Sequence, residues 1–207
     1  MAKRSTRPKP RTSSDPRDRI LDAALALAER EGWRNASLGA IAAEAKLPLA
    51  AVYGEFRSRA GVLAGLMARF DKSVLASAGA PNADETPRER LFETLMRRFD
   101  TMKPHRAALH SIACALPRDP PSAVLSAPAL LRSMSWMLEA SGISSAGLHG
   151  RLRTRGLVVI YLCALRTFLS DDSPDLAKTM AALDRKLSQT ERWLGRVSRT
   201  RKGRAAA

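Results

Sequence analysis

The chain has 207 residues, 45% of them apolar, enough for one ordinary domain or two small ones around a packed core. Aromatic residues make up only 5%, Ala and Leu dominate and β-branched residues are sparse, which argues against a sheet-built protein and predicts an all-α fold, because Ala and Leu lose least on entering a helix. The formal charge of +15 is gathered at the ends: residues 1–19 carry a net +5 and residues 192–204 six basic groups and no acid. Basic ends suit a polyanion such as DNA, an anionic membrane surface or plain solubility. No apolar run follows the basic start, so no secretory signal is read there. The longest apolar stretch, GLVVIYLCAL at 156–165, has ten residues, far short of the roughly 18 needed to cross a bilayer, and reads as a core helix. Cys114 and Cys163 offer neither a zinc site nor a disulfide framework and fit a reducing cytoplasm, the expected location.

Residues 1–14 mix Pro, Ser and basic groups and are expected to form a disordered basic arm. Asp15 before Pro16 supplies a cap and a proline at the first helical position, and the apolar face Ile20, Leu21, Ala24, Leu25, Leu27 and Ala28 carries that helix to Gly32. A second helix starts at Ser37 and runs through Leu38, Ile41, Ala42 and Ala45; a third covers 49–55 and a fourth 59–76. The polar stretch 82–86 divides a unit at 15–76 from a second at 86–195. Thr86 and Glu89 have capping-box spacing, and helices are expected at 87–102, 104–115, 121–140, 145–171 and 174–195, punctuated by Pro104, Pro117, Pro120, Pro121, Gly142 and Pro174. In the last helix Leu176, Met180, Leu183, Leu187 and Leu194 form a narrow seam, suited to a partner helix or to the chain's own core. Residues 196–207 read as a basic disordered tail.

Two short helices at 38–45 and 49–55 across a tight turn describe a helix-turn-helix. With RDRILDAALALAEREGW at 17–33, ASLGAIAAEAKL at 36–47 and VYGEFRSRAGVL at 52–63, the chain resembles the TetR family of bacterial transcriptional regulators. Ser37, Ile41-Ala42, Val52-Tyr53, Phe56 and Ser58-Arg59 carry the likeness. It implies an N-terminal three-helix DNA-binding domain, a C-terminal helical domain for ligand binding and dimerisation, double-stranded DNA as partner, and a homodimer. Leu38, Ile41, Leu47, Val52 and Phe56 are expected to form the small core that sets the helix angle, with Ala42 allowing close approach.

The expected DNA-facing residues are Ser37, Lys46, Pro48, Leu49, Ala50, Ala51, Tyr53, Arg57 and Arg59. Tyr53 and Arg59 are placed to meet phosphates, which position a protein without reading sequence. Lys46 stands at a turn position that favours Gly because the backbone takes a positive φ there. Where base readout needs donors and acceptors, LPLAA at 47–51 offers none, so direct specificity is expected to be poor.

In the second half, RSMSWML at 132–138, the D-x-S-P-D turn at 171–175 and TMAALDRKL at 179–187 are similar to the lipid-binding accessory protein family of ubiquinone biosynthesis, which shares the TetR frame. That likeness implies an isoprenoid ligand and a degenerate DNA-binding half. A pocket for a small apolar ligand is expected from Met134, Trp136, Met137, Tyr161, Leu162 and Phe168, residues that taken one by one read more readily as core. Asp171 and Asp172 read as helix terminators. His105, His110 and His149 lack metal-ligand spacing, and no phosphate loop or nucleophile elbow is present, so neither a metal, a cofactor nor an enzymatic activity is expected. The leading expectation is a ligand-responsive repressor; the rival is a lipid-binding accessory protein of quinone metabolism.

Overall fold

The computed structural model describes residues 15–77, 79 and 84–204, with side chains through residue 190. The basic arm, residues 82 and 83 of the expected boundary, the side chains of Leu194 and the basic tail, and residues 205–207 lie outside them. Among the described residues there are nine α-helices and no strand, as the composition predicts. They are α1 (Pro16–Arg30), α2 (Leu38–Glu44), α3 (Leu49–Glu55), α4 (Arg59–Ser77), α5 (Pro87–Met102), α6 (Arg106–Ala115), α7 (Pro120–Ala140), α8 (Gly147–Leu169) and α9 (Ala177–Arg204).

Helix starts fall where capping chemistry puts them. The Asp15 carboxylate accepts from the Arg17 N–H ahead of Pro16, and Ser37 accepts from the Ala40 N–H. Thr86 and Glu89 form the reciprocal capping box of α5. Gly32, at φ 85°, ends the first helical stretch in a conformation that a side chain would strain. α7 runs through Pro128 without a break, as the expected helix at 121–140 requires. Two details depart from the sequence reading. α9 begins at Ala177 and keeps helical backbone to Arg204, past the end expected at 195. Asp171 does more than stop a helix. Fully buried, it accepts from the Ser173 N–H at 3.1 Å and from the Thr179 N–H and hydroxyl at 2.8 and 2.7 Å, tying the loop to the start of α9. Burial pushes its carboxyl up, and the hydrogen bonds from Ser173 and Thr179 outweigh burial and hold it well below the usual carboxylate range.

Packing does not divide at the chain boundary: one hydrophobic cluster runs from Ile20 to Leu187 through both expected units. α1 packs on α6 as well as on α2, and the Trp33 N–H donates to the Ser111 hydroxyl at 2.8 Å. α4 is shared, packing on α1 at one end and on α5 and α7 along its length. The described part of the α9 seam faces this core: Leu176, Leu183 and Leu187 are buried and Met180 is exposed. Cys114 and Cys163 are exposed free thiols, with Cys114 Sγ 3.8 Å from His110 Nε2.

At the centre lies a charge pair. The Arg98 guanidinium, 1% exposed, donates to Asp71 and, at 3.3 Å, to the Tyr161 hydroxyl, which in turn donates to Met102 Sδ. The Ser133 hydroxyl donates to the same Asp71 carboxylate at 2.7 Å. Four helices, α4, α5, α7 and α8, thus meet on one buried network. Replacing Arg98 by Met strands a buried carboxylate and is expected to lower unfolding free energy by about 3–5 kcal/mol in urea titrations, with the Arg98→Met/Asp71→Leu double variant regaining most of it.

Candidate nucleic-acid interface

The turn between α2 and α3 is built from backbone. Lys46 has φ 54°, its N–H bonds the Ala43 carbonyl at 3.1 Å, and the Leu47 N–H bonds the Ala42 carbonyl at 3.0 Å. These are the two bonds of a Schellman ending, in which a left-handed residue closes a helix. The positive φ expected at Lys46 is present. Arg19 of α1 holds the turn from below, its guanidinium donating to the carbonyls of Ala45 at 2.6 Å and Lys46 at 3.3 Å. Sequence reading counted Arg19 only as charge; its place on the apolar side of α1, one position before Ile20, was the available signal.

α3 leaves this turn with Val52 fully buried and Phe56 closing it from beneath. Leu38 and Leu47 are half-buried against the same small core, and Ala42 is buried where α2 approaches its neighbours. The Phe56 ring occupies the space that Gly65 of α4 leaves: a Cβ there would stand 2.5 Å from a ring carbon. Arg17 ties the far end of α3 to α1, with its guanidinium 3.2 Å from Glu55 and 4.6 Å from the Phe56 ring centre.

The outward face of α3 is open. Pro48, Leu49, Ala50 and Tyr53 are exposed, Ala51 is half-buried, and Arg57 lies with its guanidinium carbon 5.8 Å from the Tyr53 ring centre. Lys46 is exposed at the turn and Ser37 at the start of α2, its oxygen already accepting a cap bond. The structure thereby gathers Lys46, Pro48, Leu49, Ala50, Tyr53 and Arg57 on one side. Arg59 is different. Its guanidinium donates to the Trp33 carbonyl at 2.6 Å and stacks 5.0 Å from that ring, pinning the start of α4 to the segment after α1 instead of reaching outward to a phosphate.

Carboxylates beside this face are neutralised. Glu55 pairs with Arg17, and Glu44 with Arg30 at 2.8 Å. The hydrogen bond from Arg30, opposed by partial burial, holds the Glu44 carboxyl below its ordinary range.

The six residues expected to line a ligand pocket divide by burial. Met134, Met137, Tyr161 and Phe168 are buried, the core side of that expectation, with Phe99 stacked 5.6 Å from Tyr161 and tilted 5.1 Å from Phe168. Trp136 and Leu162 are exposed. The Tyr161 hydroxyl joins the buried Arg98 network. Arg98 was legible in principle, since Leu91, Leu95, Arg98 and Met102 fall on one helical stripe.

Residues 20–66 match the family model described as bacterial regulatory proteins, tetR family. No curated protein matches the chain. Among solved structures, a TetR transcriptional regulator from Nitrosomonas europaea is similar over 85% of this chain and 98% of its own, with 24% identity and a TM-score of 0.68. One from a Rhodococcus species is similar over 84% and 94%, with 17% identity and a TM-score of 0.64. A complex of SmeT with triclosan is similar over 84% and 90%, with 21% identity and a TM-score of 0.52.

Replacing Lys46 by Gly separates the two parts of this site. The variant is expected to raise the melting temperature by a few degrees, because a left-handed lysine costs about 1 kcal/mol, while weakening DNA binding and reducing the salt slope by about one counterion. Thermal melts and salt-dependent anisotropy titrations read the two effects. With a matching domain model at the open helix pair and the same architecture in solved regulators along most of its length, the chain carries the helix-turn-helix DNA-binding domain of the TetR family on an all-helical TetR-like fold.

Proposed function

We propose that this protein is a homodimeric repressor in which residues 15–76 grip DNA mainly through phosphates and residues 86–195 hold the dimer and answer to a small ligand. The observation that carries the reading is the unobstructed face of α3, held at a fixed angle by Val52, Phe56, Arg17 and Arg19. Tyr53, Lys46 and Arg57 offer phosphate partners, while Leu49 and Ala51 offer only apolar contact to thymine methyl groups. Ser37 joins them from the start of α2; Arg59 serves by fixing α4.

Dimerisation is argued from α8. Leu148, Leu152, Val159 and Leu162 form an exposed stripe on the side opposite its buried face of Leu157, Tyr161, Ala164 and Phe168. A helix apolar on two opposite sides suits burial on both, and a second copy of α8 supplies the cover. Two reading heads would then straddle about one helical turn of DNA, roughly 34–36 Å. SmeT is named as a triclosan complex, and a ligand-responsive second domain in this chain fits that precedent. A ligand acting on α4 would reach α3 through the Gly65–Phe56 contact and alter the spacing of the heads.

The rival reading, a lipid-binding accessory protein of quinone metabolism, is not favoured: Met134 and Met137, within the RSMSWML segment of that resemblance, are packed core, and α3 faces solvent. No helix among the described residues is long and apolar enough to cross a membrane. Anisotropy titrations at two salt concentrations, with the promoter beside the gene and a scrambled duplex, are expected to show steep salt dependence and a preference for the promoter. Equal affinity for both duplexes removes the regulator reading. Leu152→Arg with Val159→Arg is expected to convert the dimer into a helical monomer in sedimentation experiments, with weaker DNA binding; an unchanged dimer places the interface elsewhere.

A further inference from the structure

The outer seam of α4 and α7 holds a groove of about 480 Å³, within the size range of small-molecule sites. Its wall is apolar, made by Ala68, Leu75 and Ala76 with the half-exposed Trp136 indole. Two exposed cations line it, Lys72 from α4 and Arg132 from α7. Neither has a carboxylate within ion-pair distance among the described residues, whereas Arg30, Arg69, Arg88, Arg97 and Arg106 each have one. The one acid in the lining, Asp71, is compensated by Arg98 and Ser133. The groove is thus apolar on its wall and positive in net charge.

We infer that this groove binds an amphipathic carboxylate, an aryl or acyl acid whose body lies on Trp136 and Leu75 and whose anion bridges Lys72 and Arg132. A neutral apolar molecule would partly desolvate the two cations and give them no partner, and a cationic one would be repelled. The carboxylate satisfies both and draws α4 toward α7. Lys72 lies two turns beyond Gly65 on the same helix, so the pull bears on the contact that sets α3. Binding stands on the groove alone; its effect on DNA rests on the regulator proposed above.

Calorimetric titration of the full chain with naphthoate, naphthylmethanol and naphthylmethylammonium isolates the charge on a constant body, and decanoate against decanol repeats the test on an acyl chain. The carboxylate of at least one series is expected to bind about tenfold tighter than its alcohol, the ammonium compound weakest, as two charge-assisted contacts imply. Lys72→Gln with Arg132→Gln is expected to erase that preference with melting temperature unchanged. Trp136→Ala is expected to weaken naphthoate and its alcohol alike. Carboxylates that bind no better than alcohols, an unchanged preference in the double variant, or no binding heat from any probe overturns the assignment. The same samples titrated with promoter duplex keep the two readings apart. Carboxylate binding that leaves DNA affinity unchanged removes the ligand-responsive mechanism and spares the groove; DNA binding without carboxylate binding does the reverse.

Discussion

Taking a guanidinium and a carboxylate out of water costs several kcal/mol per ion, and the Arg98–Asp71 pair recovers that cost only with every neighbour in place. Ser133 completes the carboxylate and Tyr161 the guanidinium, so α4, α5, α7 and α8 must arrive in one arrangement for the network to close. An apolar core of the same volume would tolerate sliding between helices. This one resists it, because a shift leaves a buried charge unsatisfied. The position of α4 is therefore set by chemistry in the second half of the chain, yet α4 also carries Gly65 against Phe56 and Arg69 against Asp22 at 2.6 Å. The angle of the DNA-facing helix is a consequence of packing on both sides of the chain boundary.

The face so positioned is chemically plain. A face made of Pro, Leu, Ala and Tyr with one lysine and one arginine at its edges can grip a backbone but has little to offer base edges. In the proposed homodimer, specificity comes from the spacing of two heads and from the shape and deformability of the duplex, terms that act at positions never touched. With few base contacts per head, geometry between heads then carries more of the discrimination.

Much of this was legible in the sequence, for identifiable reasons. Asp15-Pro16, Ser37 and Thr86-x-x-Glu89 are local capping chemistry, and local chemistry survives folding. Lys46 could be placed in a left-handed turn because the resemblance to the TetR family sets it at a position that favours Gly. What failed was partner choice over long distances. Arg59 looked like a phosphate ligand and instead stacks on Trp33, 26 positions earlier. Met134, Met137, Tyr161 and Phe168 read as core or as pocket lining, because periodicity reports which residues face inward and says nothing of whether the space between them is filled. The α9 seam suited a partner helix or the chain's own core, and spacing alone did not choose; its described leucines meet the core, while the exposed stripe lies on α8, where a continuous apolar run hid the existence of two faces.

Pro128 sits within α7, where a ring without an N–H leaves the Val124 carbonyl with no donor one turn later. The helix runs on as one piece, one backbone hydrogen bond short at that turn. After the proline, Ser133, Met134 and Met137 are tied into the charged centre, while before it Val124 and Leu125 stand exposed. The missing bond thus falls on the side of the helix that the ionic centre does not use, and the network keeps a fully bonded segment beneath it.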